Sequence, residues 1–461
     1  MQWLKKVGML LALPLVFACS DSNNNSDDTV EAAQLRLTHA SPDAPAVNVY
    51  VDGELALEAV EFKQSSGLIS LAAGSVDVEV RGLLPDGSEV SVIGPVALDL
   101  QQGIRTDVLA VGKLLDAQGG LSIAPRVLDP VDIEQGIEDV RVTVVHAAPE
   151  VGQVDVYVTA PEAGLEGTAP ITAAFGEAAG PVSLMPDTAY RVRITPTGAS
   201  TVVFDSGTLS FGAGTELVVA AVENTYGVGS SPVTLLAIGA EGASEVLDSA
   251  MGGAVRVVHN SADTPPVDVL VNGTEVLDAV PFAAASSYSD LEAPAGTYNV
   301  VVAADADNSI APIDIDLTIN AAESYTAIAV GSFADSSIEA ILTVDDRRKL
   351  ATAAVVEVIH GSYLVAAQIP VDIYLTPDGV IADEVPAVAG LAFGETTGQL
   401  QLAPGAYWVT VTAADDKSVV AFDSGAALAL DAGVNYTVIA RDPDPVTFDG
   451  SPLINVILLT D

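Results

Sequence analysis

The segment Leu35-Arg36-Leu37-Thr38-His39, followed by Val47-Asn48-Val49-Tyr50-Val51, decides the fold, because this pair of runs occurs four times. The later copies are 142–146 with 154–158, 255–259 with 267–271, and 355–360 with 371–375. The first run of each copy ends in one of the chain's four histidines: His39, His146, His259 and His360. The central Asn or Asp of the second run follows nine residues later in three copies and twelve later in the fourth. Such self-similarity predicts four tandem units.

Each unit has the sequence pattern of a β-sandwich. Apolar and polar residues alternate with period two in runs such as 76–80 and 190–194, which is typical of half-buried strands. Turn formers such as Pro85-Asp86-Gly87 separate these runs. We therefore predict an all-β chain of four immunoglobulin-like β-sandwich domains, each with about seven short strands. The predicted domains are 34–128, 140–239, 255–344 and 355–461.

The units alternate in kind. Val203-Phe204-Asp205-Ser206-Gly207 of the second unit returns in the fourth as Ala421-Phe422-Asp423-Ser424-Gly425, whereas the first and third share a different set of motifs. The order A-B-A-B indicates duplication of a two-domain block. Residues 129–139, 240–254 and 345–354 are predicted linkers, and Arg347-Arg348-Lys349 in the last is a predicted exposed protease site.

The N-terminus predicts export. Lys5 and Lys6 precede a short apolar stretch that ends in Val16-Phe17-Ala18-Cys19, too short to span a bilayer. Residues 1–18 resemble a bacterial lipoprotein signal peptide, which would make Cys19 the lipidated first residue. Residues 19–33 hold few large apolar groups and are predicted to be a flexible tether. Ser20 after the cysteine resembles an outer-membrane address in two-membrane bacteria. An ordinary secretory signal is the alternative.

Charge limits the partners. The chain has 17 basic and 62 acidic residues, a net charge of −45. Such a surface repels nucleic acid and anionic lipid headgroups. Membrane contact is therefore expected through the lipid alone, and the charge favours a monomer.

The repeated phrases resemble a known family. His39-Ala40-Ser41-Pro42-Asp43-Ala44-Pro45 and its relative His259-Asn260-Ser261-Ala262-Asp263-Thr264-Pro265 are similar to the lead motif of the bacterial DUF4397 domain. Tyr325-Thr326-Ala327-Ile328-Ala329-Val330-Gly331 is similar to its later strand. The resemblance covers nearly all of 34–461. It implies β-sandwich domains common in exported and surface proteins, with no catalytic residues to carry over.

The histidines have a structural and a chemical interpretation. A carboxylate four residues on, in Asp43, Glu150 or Asp263, could orient the imidazole for proton transfer or for metal binding. However, each unit has one histidine and no cysteine, so zinc would need carboxylate ligands alone. A Ser-His-Asp triad is recognised by geometry and not by composition. We therefore predict that the four histidines are structural and that there is no catalytic residue.

Oxygen-rich loops raise the question of calcium. Asp305, Asp307 and Asn308 are candidate calcium ligands, and Asp442-Pro443-Asp444 is a similar cluster. Neither matches an EF-hand, and a solvated acidic loop is the competing interpretation. The two Asp-Ser-Gly segments are predicted turns, in which Asp caps its own backbone and Gly takes positive φ.

These features favour a lipid-anchored, non-enzymatic surface protein that serves in binding, adhesion or spacing, with no cofactor and an unidentified protein or glycan ligand. The alternative is an envelope hydrolase, or a calcium-dependent or other metal-dependent glycan-binding protein that uses the loop carboxylates and the repeated histidine. A sandwich fold is compatible with both.

Overall fold

A computed structural model describes residues 32–115, 122–133, 137–291, 296–366, 370–445, 448, 450 and 452–461. The predicted signal peptide, Cys19 and nearly all of the predicted tether lie outside these residues. The described chain is all-β, as predicted, apart from one helical turn, Tyr363–Ala366 (α1). Within the described residues, no helix has the length and apolar character needed to cross a membrane.

The first two repeats contain the following strands. Repeat 1 contains β1 Ala33–His39, β2 Val47–Val51, β3 Glu54–Val60, β4 Ile69–Leu71, β5 Gly74–Leu83, β6 Glu89–Leu100, β7 Ile104–Val111, β8 Ala124–Val127 and β9 Val131–Asp132. Repeat 2 contains β10 Val140–His146, β11 Val154–Thr159, β12 Ile171–Ala173, β13 Ala178–Leu184, β14 Ala189–Pro196, β15 Phe204–Ser210, β16 Glu216–Glu223, β17 Val233–Gly239 and β18 Gly242–Val246.

The last two repeats follow the same plan. Repeat 3 contains β19 Gly253–His259, β20 Val267–Val271, β21 Thr274–Val280, β22 Ser289–Leu291, β23 Gly296–Ala304, β24 Ile313–Ile319, β25 Ser324–Val330 and β26 Glu339–Asp345. Repeat 4 contains β27 Ala354–His360, β28 Val371–Thr376, β29 Val388–Leu391, β30 Thr396–Leu402, β31 Gly405–Ala413, β32 Asp416–Asp423, β33 Leu428–Leu430, β34 Asn435–Arg441 and β35 Asn455–Thr460. These eight or nine strands per repeat exceed the predicted seven because edge strands of two to five residues are too short to show an alternating pattern.

Each repeat folds into two sheets. The inner sheet contains the histidine strand, and in repeat 1 its order is β4-β1-β7-β8; the outer sheet has the order β3-β2-β5-β6. The histidine strand always pairs in parallel with a late strand of its own repeat, as β1 does with β7 and β19 with β25. This order differs from the ABED and CFG sheets of a constant-type immunoglobulin domain. The sandwich layers are those expected, but the connectivity is different.

The core of each sandwich lies between its two sheets. In repeat 1, Leu35 and Leu37 of the inner sheet pack with Val47 and Val49 of the outer sheet. Repeat 2 repeats this arrangement around Phe204, which is completely buried. Period-two alternation in both sheets places these residues on facing surfaces.

A second kind of core joins the repeats in pairs. The opposite face of the inner sheet of repeat 1, with Leu109 and Val111, packs against Val218, Ala220 and Leu236 of repeat 2. Repeats 3 and 4 pair in the same way, with Ile328 and Val330 against Ile359, Ile439 and Ile457. Each pair is therefore a four-layer stack whose two inner sheets are covered on both faces. Such burial makes the two repeats of a pair one folding unit in energetic terms.

One arginine in each pair spans this stack. Arg36 is 1% exposed and binds Asp107 of its own repeat, with Nε 2.6 Å from the carboxylate. It also donates from Nη1 to the carbonyls of Ile238 and Gly239 in repeat 2. The equivalent Arg256 donates to Thr326 of repeat 3 and Thr437 of repeat 4. The polar residue three positions before the histidine, Arg36 or Arg256, thus faces the neighbouring repeat and not solvent.

All three predicted linkers contain ordered segments, and in 129–139 this is β9, which pairs with β7. Segment 240–254 contains β18, which extends the inner sheet of repeat 2, and it enters repeat 3 through the start of β19. In 345–354, Arg348 donates to the carbonyls of Pro42 and Ala44 and stacks on Phe62 at 4.8 Å. The prediction of an exposed site at Arg348 is therefore wrong, because this side chain joins the two pairs of repeats; Lys349 beside it is exposed.

Candidate functional site

The four histidines occupy one equivalent position. Each imidazole is at least 98% buried and meets a phenylalanine ring edge to face, with centroids 6.1–6.4 Å apart. The phenylalanines are Phe62, Phe175, Phe282 and Phe393. Each Phe begins a tight turn that also exchanges backbone hydrogen bonds with the histidine; for example, His146 N donates to Glu177 O and Gly176 N donates to His146 O. The His–Phe pair therefore closes the end of the inner sheet.

Both ring nitrogens of the first three histidines contact backbone groups. His39 Nε2 lies 3.0 Å from Pro45 O, and Ser41 N donates to Nδ1 over 3.3 Å. The same contacts recur at His146 and His259. A carbonyl can only accept and an N–H can only donate, so the neutral tautomer carries its proton on Nε2. Burial lowers the pKa of His39 to about 4. A neutral ring with both nitrogens engaged has no site left for proton transfer or a metal ion.

His360 differs in its surroundings. Neither of its ring nitrogens has a hydrogen-bond partner among the described residues. The acceptor in the other repeats stands two residues before the next strand; the corresponding residue in repeat 4 is Ile369, which lies outside the described part of the chain. Burial lowers the pKa of His360 to about 4, so this ring is also neutral.

The carboxylates four residues after the histidines do not orient the imidazoles, contrary to that interpretation of the sequence. Asp43 accepts from the backbone N–H groups of Leu114 and Leu115 at 2.8 and 2.9 Å. Asp263 accepts in the same way from Phe333 and Ala334. Burial raises the pKa of Asp263, but these N–H groups outweigh it and hold the pKa below its usual value. The aspartates therefore fasten the loop after the histidine to the loop after the parallel strand.

In repeats 2 and 4 the same loops are joined differently. Glu150 pairs with Lys113 of repeat 1 at 2.6 Å, and so links two repeats. Ser362 Oγ and Leu364 N both donate to Asp442, one of the oxygen donors of the 442–444 loop. Asp442 is thereby used within the fold, and burial raises its pKa.

The calcium candidates separate in the structure. Asp305 lies with Asp268 and Asp278, their carboxylate oxygens all within 4.8 Å of one another. Asp307 turns away and accepts from the N–H and hydroxyl of Ser309 at 3.0 and 2.6 Å. The Asn308 amide nitrogen, turned inward, donates to Asp268 Oδ2 over 2.9 Å and to Ala304 O over 3.2 Å. The sequence interpretation missed Asp268 and Asp278, which are distant from the loop along the chain.

Asp268 has a structural role that the other repeats share. It is 3% exposed, and its Oδ1 accepts from Ala279 N over 2.9 Å. Asp372 in repeat 4 accepts from Gly390 N and Asp415 N, and Asp155 in repeat 2 is held by Thr172 and Gly198. In each of these repeats one oxygen fastens the neighbouring edge strand and the other fastens a hairpin turn. Because this clamp accounts for Asp268 and Asn308, we assign no ion to the cluster.

The two Asp-Ser-Gly segments form the predicted turns. Gly207 N donates to Asp205 Oδ1 over 3.0 Å, and Gly425 N donates to Asp423 Oδ1 over 2.7 Å. Both glycines have positive φ, near 65°. These segments shape the outer sheet and present no chemical group for a reaction.

The second pair of repeats contains a polar cleft of about 550 Å³. Arg256, Ser287, Tyr288, Arg347 and the end of β35 line it. Both guanidinium groups lie over the Tyr288 ring, with their carbon atoms 4.4 and 4.3 Å from its centroid. Arg256 also pairs with Asp461 at 3.2 Å, and Tyr288 donates its hydroxyl to Asp345. The volume of this cleft is in the range of ligand sites. Gly227 of repeat 2 also lines it, so residues from three repeats meet here, and this set was not recognisable in the sequence.

Comparison with known proteins matches two regions of the chain to one family. A family model described as "Domain of unknown function (DUF4397)" matches residues 33–157 and 253–374. No curated protein matches the chain. A solved "putative adhesin" from Bacteroides ovatus is 13% identical, covering 46% of this chain and 95% of that one, with a TM-score of 0.13. A "putative cell adhesion protein" from Bacteroides fragilis NCTC 9343 is 11% identical, covering 46% and 98%, with the same TM-score. TM-scores this low carry no argument about function.

Proposed function

We propose that this chain, which belongs to the DUF4397 family, is a lipid-anchored, non-enzymatic protein of the cell envelope whose stacked sandwiches form a rigid binding and spacer module. The observation that carries the proposal is the state of the repeated histidine. In three repeats both of its ring nitrogens are engaged by backbone groups of its own loop. A general base or a metal ligand needs a free nitrogen lone pair directed at its target. The repeated histidine thus stabilises the fold, and we infer that binding uses the exposed loops and strand edges.

The packing between repeats supports a spacer. Each pair is joined by an apolar core between inner sheets and by a buried arginine. Arg348 and Arg347 then connect the two pairs, through Pro42 O and Gly227 O. A flexible string of domains would have little apolar contact at its boundaries. The stacked form would hold its exposed loops at fixed separations.

The anchor is proposed from the sequence. A basic and apolar leader ending at Cys19 resembles a lipoprotein signal, and Ser20 favours the outer membrane of a two-membrane bacterium. The acidic surface would repel nucleic acid and anionic headgroups, so the lipid would supply membrane attachment. We propose a monomer with a protein or glycan partner and without a cofactor.

Lipidation is tested by comparing wild type with Cys19→Ser, in cells given a labelled fatty acid. Wild type should carry label and sediment with washed membranes, whereas Cys19→Ser should lose both. Equal retention of the two proteins in washed membranes would contradict the anchor.

The non-enzymatic role is tested with a panel of esterase, peptidase and glycosidase substrates. The soluble region after Cys19 should show no turnover above buffer. Turnover by wild type that disappears in a folded His146→Ala variant would favour the hydrolase instead.

A further inference from the structure

The two pairs of repeats differ at one sheet edge. In the first pair, β18 adds to the outer edge of β17 through five antiparallel residue pairs, from Gly239↔Gly242 to Leu235↔Val246. β35 is the equivalent of β17, since Leu235 pairs with Ala221 beside His146 as Val456 pairs with Ala440 beside His360. No described strand pairs with the outer edge of β35. Among the described residues, the backbone groups on this edge have no strand partner, so they offer a site at which a further strand can pair.

In the first pair, the turn between β17 and β18 packs against Gly67 and Leu68 of repeat 1. Leu68 N donates to Ala240 O over 2.9 Å, and a Cβ added at Gly67 would lie 2.8 Å from the same oxygen. Arg36 donates to Ile238 and Gly239 beside it. Gly67 is thus buried beneath the turn, and glycine is required there both by this contact and by its φ of +70°.

In the second pair, the position equivalent to that of the β17–β18 turn is the polar cleft described above. Ser287 and Tyr288 follow His259 at the distances at which Gly67 and Leu68 follow His39, and Arg256 replaces Arg36. These three residues line the open space of about 550 Å³ beside β35. Ser287 is exposed where Gly67 is buried, which fits a position that nothing in the described chain covers.

The edge itself has the character of a strand-binding site. β35 is Asn-Val-Ile-Leu-Leu-Thr, without the lysine or proline that commonly protects an edge. Leu458 on it is 54% exposed. Arg347 in the cleft wall donates from Nη1 to the carbonyl of Gly227, and no carboxylate of the described residues pairs with it. In the first pair the added strand brings Glu245, which binds Lys63 over 2.6 Å.

We propose that the outer edge of β35 and the adjoining cleft bind an extended segment of a partner polypeptide, which adds antiparallel to β35 as β18 adds to β17. The partner strand spans about five residues, has small residues where it passes Ser287, and carries an acidic side chain that reaches Arg347. Main-chain pairing supplies the attraction and the cleft supplies the selectivity. The inference rests on the proposed binding function and names its partner class.

The test uses a fluorescent peptide with the sequence of residues 239–248, the turn and strand that occupy the first pair. Its binding to the whole region after Cys19 is measured by anisotropy, and hydrogen exchange is followed across residues 455–460. Binding should slow exchange in that segment. Ser287→Trp should weaken binding at least tenfold, because the indole fills the place of the Ala240 carbonyl. Ser200→Trp, at another exposed serine, in repeat 2, should bind like wild type.

If the free peptide binds too weakly to measure, the test uses a protein to which the peptide is covalently fused. The same segment is fused after Asp461, where it can fold back on β35. Its addition should raise the melting temperature, and Ser287→Trp should abolish the rise. A scrambled segment that acts equally, or unchanged exchange in 455–460, would overturn the proposal. Concentration-dependent dimerisation that protects the same residues would assign the edge to a second copy. The membrane and turnover assays are independent of all these outcomes.

Discussion

His39 and Phe62 meet edge to face, with their ring centroids 6.1 Å apart and their planes inclined by 70°, and this pair recurs in all four repeats. The histidine ends the inner strand, and the phenylalanine begins the turn that returns backbone hydrogen bonds to it. Aromatic edge-to-face contacts add stability beyond buried area alone. The recurrent pair gives each of the four histidines a structural role at the end of its inner sheet.

Replacing His259 with Ala should lower the free energy of unfolding by about 1–3 kcal/mol, because a buried hydrogen bond and the Phe282 contact are lost. Denaturant unfolding measures the change. Glu275→Ala, at an exposed position of β21, is the matched control and should unfold like wild type. Unchanged stability in His259→Ala together with lost binding would instead make this loop the functional site.

The buried histidines predict a loss of stability in acid. The pKa of His39 and of His360 is about 4 in the folded chain, below the value of about 6.5 in an unfolded chain. Their contribution is therefore fully present above about pH 6.5 and is lost as the pH falls toward 4, because only the unfolded state takes up protons there. Each should cost about 2 kcal/mol between pH 7 and pH 5. Melting of wild type and His39→Gln across this range checks the sign, since the variant should show a smaller step.

Arg36→Met should destabilise the first pair by about 3 kcal/mol, because it leaves Asp107 with Arg105 alone and removes two bonds to repeat 2. Arg81→Met removes an arginine from a surface ion pair and should have a much smaller effect. Urea unfolding of both variants tests the difference. Equal effects would show that Arg36 does not join the repeats.

A fragment of residues 33–133 should self-associate, whereas a fragment of residues 33–251 should be monomeric. The shorter fragment exposes Leu109, Val111 and the other apolar residues that repeat 2 covers. Sedimentation velocity over a range of concentrations distinguishes the two. A stable, monomeric 33–133 fragment would mean that the contact between inner sheets contributes little.

Asn308→Asp should lower the melting temperature of the second pair, because a carboxylate would replace the amide N–H that faces Asp268. Asp307→Asn lies on the same turn, points toward Ser309, and controls for the loss or gain of charge in this loop. The melting temperatures of both variants are measured with and without about 1 mM calcium chloride, which is within the range that weak extracellular calcium sites bind. Stabilisation of Asn308→Asp by calcium would place a cation among Asp268, Asp278 and Asp305.

Local pattern was sufficient for several parts of the fold. The four repeats, their alternation A-B-A-B, and the paired runs around each histidine follow directly from the residues. The turns at Gly207 and Gly425 were predictable because Asp caps its own backbone within two residues. Such features depend on neighbours in sequence, so the chain specifies them before any long-range contact forms.

The site chemistry was less accessible. Asp305 and Asn308 were recognisable as oxygen donors, but Asp268 and Asp278 join them only through the pairing of separate strands. Asp43 was expected near the imidazole, and it turns instead to Leu114 on a loop 71 residues away. The number of residues between a histidine and a carboxylate does not predict where the carboxylate points when the backbone turns between them.

The sequence by itself determined that this is an all-β chain of four related units, each with one histidine at the end of its first strand. The tertiary structure alone decided that inner sheets stack in pairs and that Arg36 and Arg256 point across the stack. It also decided that β18 covers the edge of β17, whereas no described strand covers the equivalent edge of β35. Period-two alternation shows that a strand has two faces, but not what covers each of them. That choice depends on the free energy of burying whole sheets against one another, which no local stretch of residues encodes.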